Sequence, residues 1–242
     1  MKLHICNDTS DLSKQVADWI TSVIKETLEK QDRFTIALSG GSTPQKLHGL
    51  LSSLPYKDEI DWARLHVFWG DERAVPFEDD RNNAKMAFDT LLDHVDVPMG
   101  QIHVMRTDID PAESAKEYET ILQKYFGETG FTFDLVLLGM GDDGHTLSLF
   151  PGTPVVHEQK AWATSFFLAA QDMFRITLTS PVVNRSSHVA FLTTGSNKAN
   201  ALKHVLEGDF DPDNYPSQVI KPAGELHWFV DKSAAAGLSN VY

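Results

Sequence analysis

Leu135-Val136-Leu137-Leu138-Gly139-Met140-Gly141-Asp142-Asp143-Gly144-His145-Thr146-Leu147-Ser148-Leu149-Phe150-Pro151-Gly152 is the stretch that decides the fold. Its first four residues are an unbroken apolar run and predict a strand buried on both faces. The glycines that follow predict a tight turn in which a ligand can approach the backbone closely. Asp143 and His145 lie two residues apart in that turn. Such a pair can supply a general base and the carboxylate that orients it. Gly139-x-Gly141-x-x-Gly144 after a strand also matches the dinucleotide fingerprint, but that motif must open a full helix. Here Pro151-Gly152 breaks the chain seven residues after Gly144, so the dinucleotide reading is rejected.

Outward from this stretch, strands and helices alternate. Helical spacing of Leu12, Val16, Trp19, Val23 and Leu28 predicts a helix over 11–30, with Ser10 as N-cap. Further helices are expected from Thr43-Pro44 to about Ser53, from Asn83 to Val95, and from Asp110-Pro111 to about Phe126. Two more are expected from about Asn197 to Glu207 and from Ser233 to Leu238. Strands are expected at Phe34–Leu38, Leu65–Trp69, Ile102–Met105, Phe133–Leu138, Phe174–Thr179, His188–Thr193 and Leu226–Val230. This order predicts an α/β fold spanning 1–242 as a single domain: a mostly parallel, Rossmann-like three-layer sandwich with helices on both faces of the sheet. Repeats, low-complexity tracts and linkers are absent from the sequence.

Ligands of such sheets bind beyond the carboxyl ends of the strands. Four polar clusters fall there. Ser39-Gly40-Gly41-Ser42-Thr43 is a glycine-rich strand-to-helix turn. Gly40, Gly41, Ser42 and Thr43 could cradle a phosphate through backbone N–H groups, or could simply form a tight turn with a cap. No Gly-Lys-Ser/Thr follows, so it is not a nucleotide P-loop. Gly70-Asp71-Glu72-Arg73 could be a solvated charge cluster, or Arg73 could fork onto a phosphate. Arg175, at the start of a strand, and Lys198, at the start of a helix, are each as readily a salt-bridge partner and an exposed lysine. His66, His103 and His227 lie on strand-like segments and are expected to pack. Trp19, Trp62, Phe68 and Trp69 are expected in or near the core, and 78–80 in a solvated loop. Asp142 is expected to be a solvated turn residue.

The composition narrows the classes of partner. The 242 residues carry a net charge of −13, which disfavours nucleic acid and anionic membranes. A small anion remains possible where cations cluster. Cys6 is the one cysteine, which suits a reducing compartment. No stretch reaches membrane-span length and the first ten residues lack a signal-peptide core, so a cytoplasmic protein is expected. No metal motif is present, neither His-Glu-x-x-His nor a cysteine cluster, and there is no Gly-x-Ser-x-Gly elbow.

Taken together, several segments resemble the soluble 6-phosphogluconolactonases, relatives of the glucosamine-6-phosphate deaminases. They are Ala37 to Pro44, Phe68 to Pro76, Asn83 with Met86, Phe133 to Gly152, and Arg175 to Thr179. Gly195 with Lys198-Ala199 and the Pro222 to Ala235 ending complete the match. The deaminases carry Asp-Glu-Tyr where this chain has Asp71-Glu72-Arg73, and a downstream glutamate that it lacks. Two departures stand out: Gln171-Asp172-Met173-Phe174 replaces a Lys-Pro-Pro-like stretch, and Asn82 replaces a serine. The resemblance implies hydrolysis of 6-phospho-D-glucono-1,5-lactone without a cofactor or metal. It implies His145, Asp143 and Asp71 as catalytic residues. It further implies phosphate binding at Gly40, Gly41, Ser42 and Thr43, with Arg73, Arg175 and Lys198 as countercharges. The expected partner is the small sugar-phosphate lactone alone, handled by a monomer or small homo-oligomer.

Overall fold

A computed structural model describes residues 1–239. The central apolar run forms β5 (Leu135–Gly139), whose buried side chains alternate between two hydrophobic layers. Leu135 and Leu137 face one layer, Val136 and Leu138 the other. That alternation is the period-2 geometry of a strand covered on both sides.

In chain order the elements are β1 (Lys2–Cys6), α1 (Thr9–Leu28), β2 (Phe34–Leu38), α2 (Ser42–Leu51), α3 (Tyr56–Glu59), β3 (Leu65–Trp69), β4 (Asp71–Arg73), α4 (Asn83–Thr90) and α5 (Pro111–Phe126). After β5 come β6 (Ala163–Leu168), β7 (Met173–Leu178), α6 (Ser180–Val183), β8 (His188–Thr193), α7 (Ala199–Glu207), β9 (Glu225–Asp231) and α8 (Lys232–Ala235). Six strands form one all-parallel sheet in the order β1-β9-β8-β5-β2-β3. One layer packs α1 and α2 on it through Leu12, Val16, Ile20, Leu47 and Leu51. The other layer packs α5 and α7 through Ala115, Tyr118, Leu122, Phe126, Ala201 and Leu202. The expected three-layer α/β sandwich is therefore present.

The chain leaves β2 for β3 on one side, and β5 returns to the other side of β2. The strand order thus reverses between β2 and β5, and a crevice opens there at their carboxyl ends. Ser39-Gly40 and Gly139-Met140-Gly141 form its two banks.

Several expectations are corrected. Ile102–Met105 is not a strand: Ile102 makes one bridge to Val67, and His103 N–H donates to the Val67 carbonyl at 2.8 Å. Ile102 and Val104 instead pack on the core at the sheet margin. Asp71–Arg73, expected as part of a turn, is a strand. It joins β7 and β6 in a separate antiparallel sheet of order β4-β7-β6, so the strand near 174–179 lies outside the parallel sheet. Helix α4 ends at Thr90, where Leu91 turns to φ −137° and Leu91, Leu92 and Val95 can all be buried. Asp8, not Ser10, caps α1: its carboxylate accepts from the Ser10 and Asp11 N–H groups. Helix α7 begins at Ala199 after a 3-10 turn over Ser196–Lys198. Strands β1 and β6 escaped the sequence reading.

Candidate active site

The crevice encloses about 190 Å³ and is lined by Ser39, Gly40, Asp71, Arg73, Asn83, Gly139, Met140, Gly141, His145, Leu147, Arg175 and Lys198. A larger cleft of about 570 Å³ includes Gln31, Arg33, Asp134 and Ser187. Those residues precede β2, β5 and β8, so that cleft opens at the amino ends of the strands. His145 lines the smaller crevice, with Asp143 held against its ring.

The turn after β5 builds the base. The Asp143 carboxylate accepts from the His145 backbone N–H at 3.0 Å and contacts Nδ1 of the same ring at 2.6 Å. An ionised carboxylate only accepts, so in the neutral ring Nδ1 carries the proton and Nε2 presents its lone pair. Burial works to raise Asp143, but the hydrogen bonds and charge of His145 outweigh it and hold the carboxyl below its ordinary value. The ring stacks on Phe150 with centroids 4.1 Å apart. Gly141 makes room for this pair, since a Cβ there would overlap His145 Nδ1 and Asp143 Oδ1. The next turn holds Leu147 at φ 53°, a conformation that costs a leucine on the order of 1–3 kcal/mol. In return Leu147 closes over Gly70, where a Cβ would strike its Cδ2.

Strand β4 supplies the second wall. Asp71 is buried, and its carboxylate bonds to Arg175 and Ser148, not to His145. Its Oδ2 accepts from Arg175 Nη2 and from the Ser148 hydroxyl, both at 2.6 Å, and Ser148 Oγ accepts in turn from Arg175 Nε at 2.9 Å. Burial alone would raise Asp71, but the Arg175 and Arg73 charges hold it below the usual carboxylate range. Arg175 also donates to Gln171 Oε1 at 3.0 Å, so the departure at Gln171 supplies this arginine with a further acceptor. The guanidinium lies 5.6 Å from the Phe150 ring centroid, which links the ion pair to the ring under His145.

Arg73 is held differently. Its Nη1 donates to the Arg81 carbonyl at 2.7 Å and to Asn83 Oδ1 at 2.8 Å, both uncharged. Glu72 turns away from the crevice and caps α4, accepting from the Arg73, Asn83 and Ala84 N–H groups. Burial pushes its carboxyl up to about 7 against those bonds. Asn82 also caps α4, accepting from the Lys85 N–H at 2.8 Å, so its place as a serine replacement keeps the capping function.

The proposed cradle is split. Gly40 lines the crevice, whereas Gly41, Ser42 and Thr43 are not among its lining residues. Thr43 Oγ1 meets Thr194 Oγ1 at 2.9 Å and ties the start of α2 to the end of β8. Lys198 lines the crevice from the turn after β8. Ser39, Asn83, Leu147, Ser148 and Phe150 also stand at or against the site; the sequence placed them in its motifs and in the family resemblance but gave none of them a role of its own. Asp142 is exposed, as expected of a turn residue. Among the described residues, no group of three or more potential metal ligands occurs, and no helix is long and apolar enough to cross a membrane.

Comparison with known proteins identifies the family. Residues 7–228 match the model of the glucosamine-6-phosphate isomerases/6-phosphogluconolactonase family. A 6-phosphogluconolactonase of Nostoc sp. is 40% identical over 241 residues, covering 98% of each chain. A chloroplastic 6-phosphogluconolactonase 3 of Arabidopsis thaliana is 40% identical over 94% of this chain and 71% of its own. Among solved structures, 6-phosphogluconolactonase from Trypanosoma cruzi superposes with a TM-score of 0.86 at 28% identity, over 99% of this chain and 97% of that one. A monomeric glucosamine-6-phosphate deaminase superposes with a TM-score of 0.84 at 21% identity, covering 98% of this chain and 100% of that one; that likeness bears on the fold alone. The chain belongs to the glucosamine-6-phosphate isomerase/6-phosphogluconolactonase family.

Proposed function

We propose that this chain is a carboxylic ester hydrolase that converts 6-phospho-D-glucono-1,5-lactone to 6-phospho-D-gluconate, a step of the oxidative pentose phosphate pathway. The observation that carries the mechanism is the Asp143–His145 pair, whose 2.6 Å contact leaves Nε2 free to accept a proton. His145 takes a proton from a water that attacks the lactone carbonyl. The carbonyl becomes a tetrahedral oxyanion, and the ring C–O bond then breaks. His145 returns the proton to the departing ring oxygen, which becomes the sugar hydroxyl. A lactone is already an activated ester, so the step calls for neither a covalent intermediate nor a cofactor. Asp143 fixes the tautomer and stabilises the imidazolium. Backbone N–H groups of the glycine turns are the donors available to the oxyanion.

Arg73 and Lys198 recognise the phosphate, and the α2 amino terminus behind Gly40 adds its N–H groups. Asp71 acts through Arg175 and Ser148 and is a positioning residue here, not a proton carrier. Local cations on an otherwise acidic surface let a protein of net charge −13 admit an anion. Residues 1–242 work as one domain, as a monomer or small homo-oligomer. We place the activity in the cytoplasm, where a chain with a single cysteine needs no disulfide. The test is turnover. Freshly made phospholactone should disappear far faster than its spontaneous hydrolysis, with no ammonia released from glucosamine 6-phosphate. Ammonia release, or tight sugar-phosphate binding without turnover, would overturn this reading.

A further inference from the structure

We infer that Asn83 sets the preference for a phosphorylated lactone by aiming Arg73 without cancelling its charge. The inference rests on the reading of Arg73 as the phosphate-recognising cation. Two arginines line the crevice, and their partners differ in charge. Arg175 is paired with the Asp71 carboxylate at 2.6 Å, so much of its charge is already spent. Arg73 forms no ion pair among the described residues. Its guanidinium is held by the Arg81 carbonyl and Asn83 Oδ1, and its buried Nε has no hydrogen-bond partner among the described residues. Neutral oxygens fix the direction of a guanidinium; the Asp71 carboxylate feels the Arg73 charge but accepts no hydrogen bond from it, so the Arg73 fork stays open to an incoming dianion in a way that the paired Arg175 does not.

Asn83 is itself fixed from four sides. It is buried, its Nδ2 donates to the Asp71 carbonyl at 3.0 Å, and its N–H donates to Glu72 Oε1 at 2.8 Å. A Cβ at Gly40 would overlap its side-chain amide, so the glycine of the β2–α2 turn is shaped around it. The amide therefore joins three parts of the crevice: the strand carrying Asp71, the helix cap at Glu72 and the turn at Gly40. An aspartate in the same place would keep the shape, lose the donor to Asp71, and put a carboxylate on Arg73.

The test compares 6-phosphogluconolactone with unphosphorylated gluconolactone, reading kcat/KM for each in wild type, Asn83→Ala and Asn83→Asp. Misplacing a charge contact by about an ångström costs on the order of a hundredfold. The preference for the phosphorylated substrate should fall by roughly tenfold to a hundredfold in both variants, mainly through KM, and at least as far with aspartate as with alanine. A residue with only a structural role would lower both substrates in proportion and leave the ratio intact. If Asn83→Ala does not fold, the near-isosteric aspartate variant is read alone. A preserved ratio alongside a strongly phosphate-preferring wild type overturns the role of Asn83. A wild type indifferent to the phosphate overturns the Arg73 reading, and the inference falls with it.

Discussion

At the scale of single residues, the site depends on atoms that are missing as much as on those present. Gly141 leaves the space that the His145 and Asp143 side chains occupy. A Gly141→Ala chain should fold and hold its Tm within a few degrees, yet push the imidazole aside. Misplacing a base by about an ångström costs roughly a hundredfold, so kcat should fall by about that factor. Near wild-type kcat would mean that the turn adapts and the pair is not sterically set. The sequence made His145 and Asp143 legible because their orientation is local: two residues in one turn. Asp71 was legible as a residue beyond a strand end, but its contacts were not. Its partners Ser148 and Arg175 lie 77 and 104 positions away, and only tertiary pairing shows its carboxylate already committed.

Secondary-structure elements hold the two walls of the crevice apart. Strand β3 ends at Trp69, and the Tyr118 hydroxyl of α5 satisfies both of that residue's backbone groups. It accepts from the N–H at 2.8 Å and donates to the carbonyl at 3.0 Å, all of it buried. Tyr118→Phe leaves both groups stranded, and each costs on the order of 1–3 kcal/mol. Chemical denaturation should show a loss of a few kcal/mol; an unchanged midpoint would mean that water replaces the hydroxyl. Strands with strong apolar runs, such as Phe34–Leu38 and Leu65–Trp69, were legible to the residue. β4 was not, since three charged residues have little strand propensity and are held extended by pairing with β7 and by buried charge contacts. β6 has the aromatic and small residues of a strand, but no partner was evident until β7 left the main sheet. Ile102–Met105 failed in the opposite direction, for its apolar residues pack at the sheet margin without a ladder.

For the whole molecule, strand order decided where the crevice opens, and the order was not legible. The sequence shows that Leu38 and Gly139 end strands, but not that β2 and β5 are neighbours across a reversal. Global stability carries its own pH signature. Burial lowers His48 and His103 to about 4 each, from an ordinary value of 6.5. Between those limits the unfolded chain binds protons that the folded chain refuses. This contribution is therefore at its full value above about pH 6.5 and is lost as pH falls toward 4. His48 is completely buried, and its share is roughly 3 kcal/mol; half-buried His103 adds less. Glu72, raised to about 7, works the other way over the same window, so the His48 share is read as a difference: from pH 7.5 to 4.5 stability should fall less steeply in His48→Gln than in wild type, and an equal slope in the two would remove His48 as a source. The central claim is that the family fold places a working base at His145. It is tested most directly by acid release from fresh 6-phosphogluconolactone, with wild type and His145→Ala side by side. A general base contributes about 10²–10⁴-fold. Wild type should turn over rapidly, with a kcat lower by at least a hundredfold in the variant. Comparable turnover in the two would contradict it.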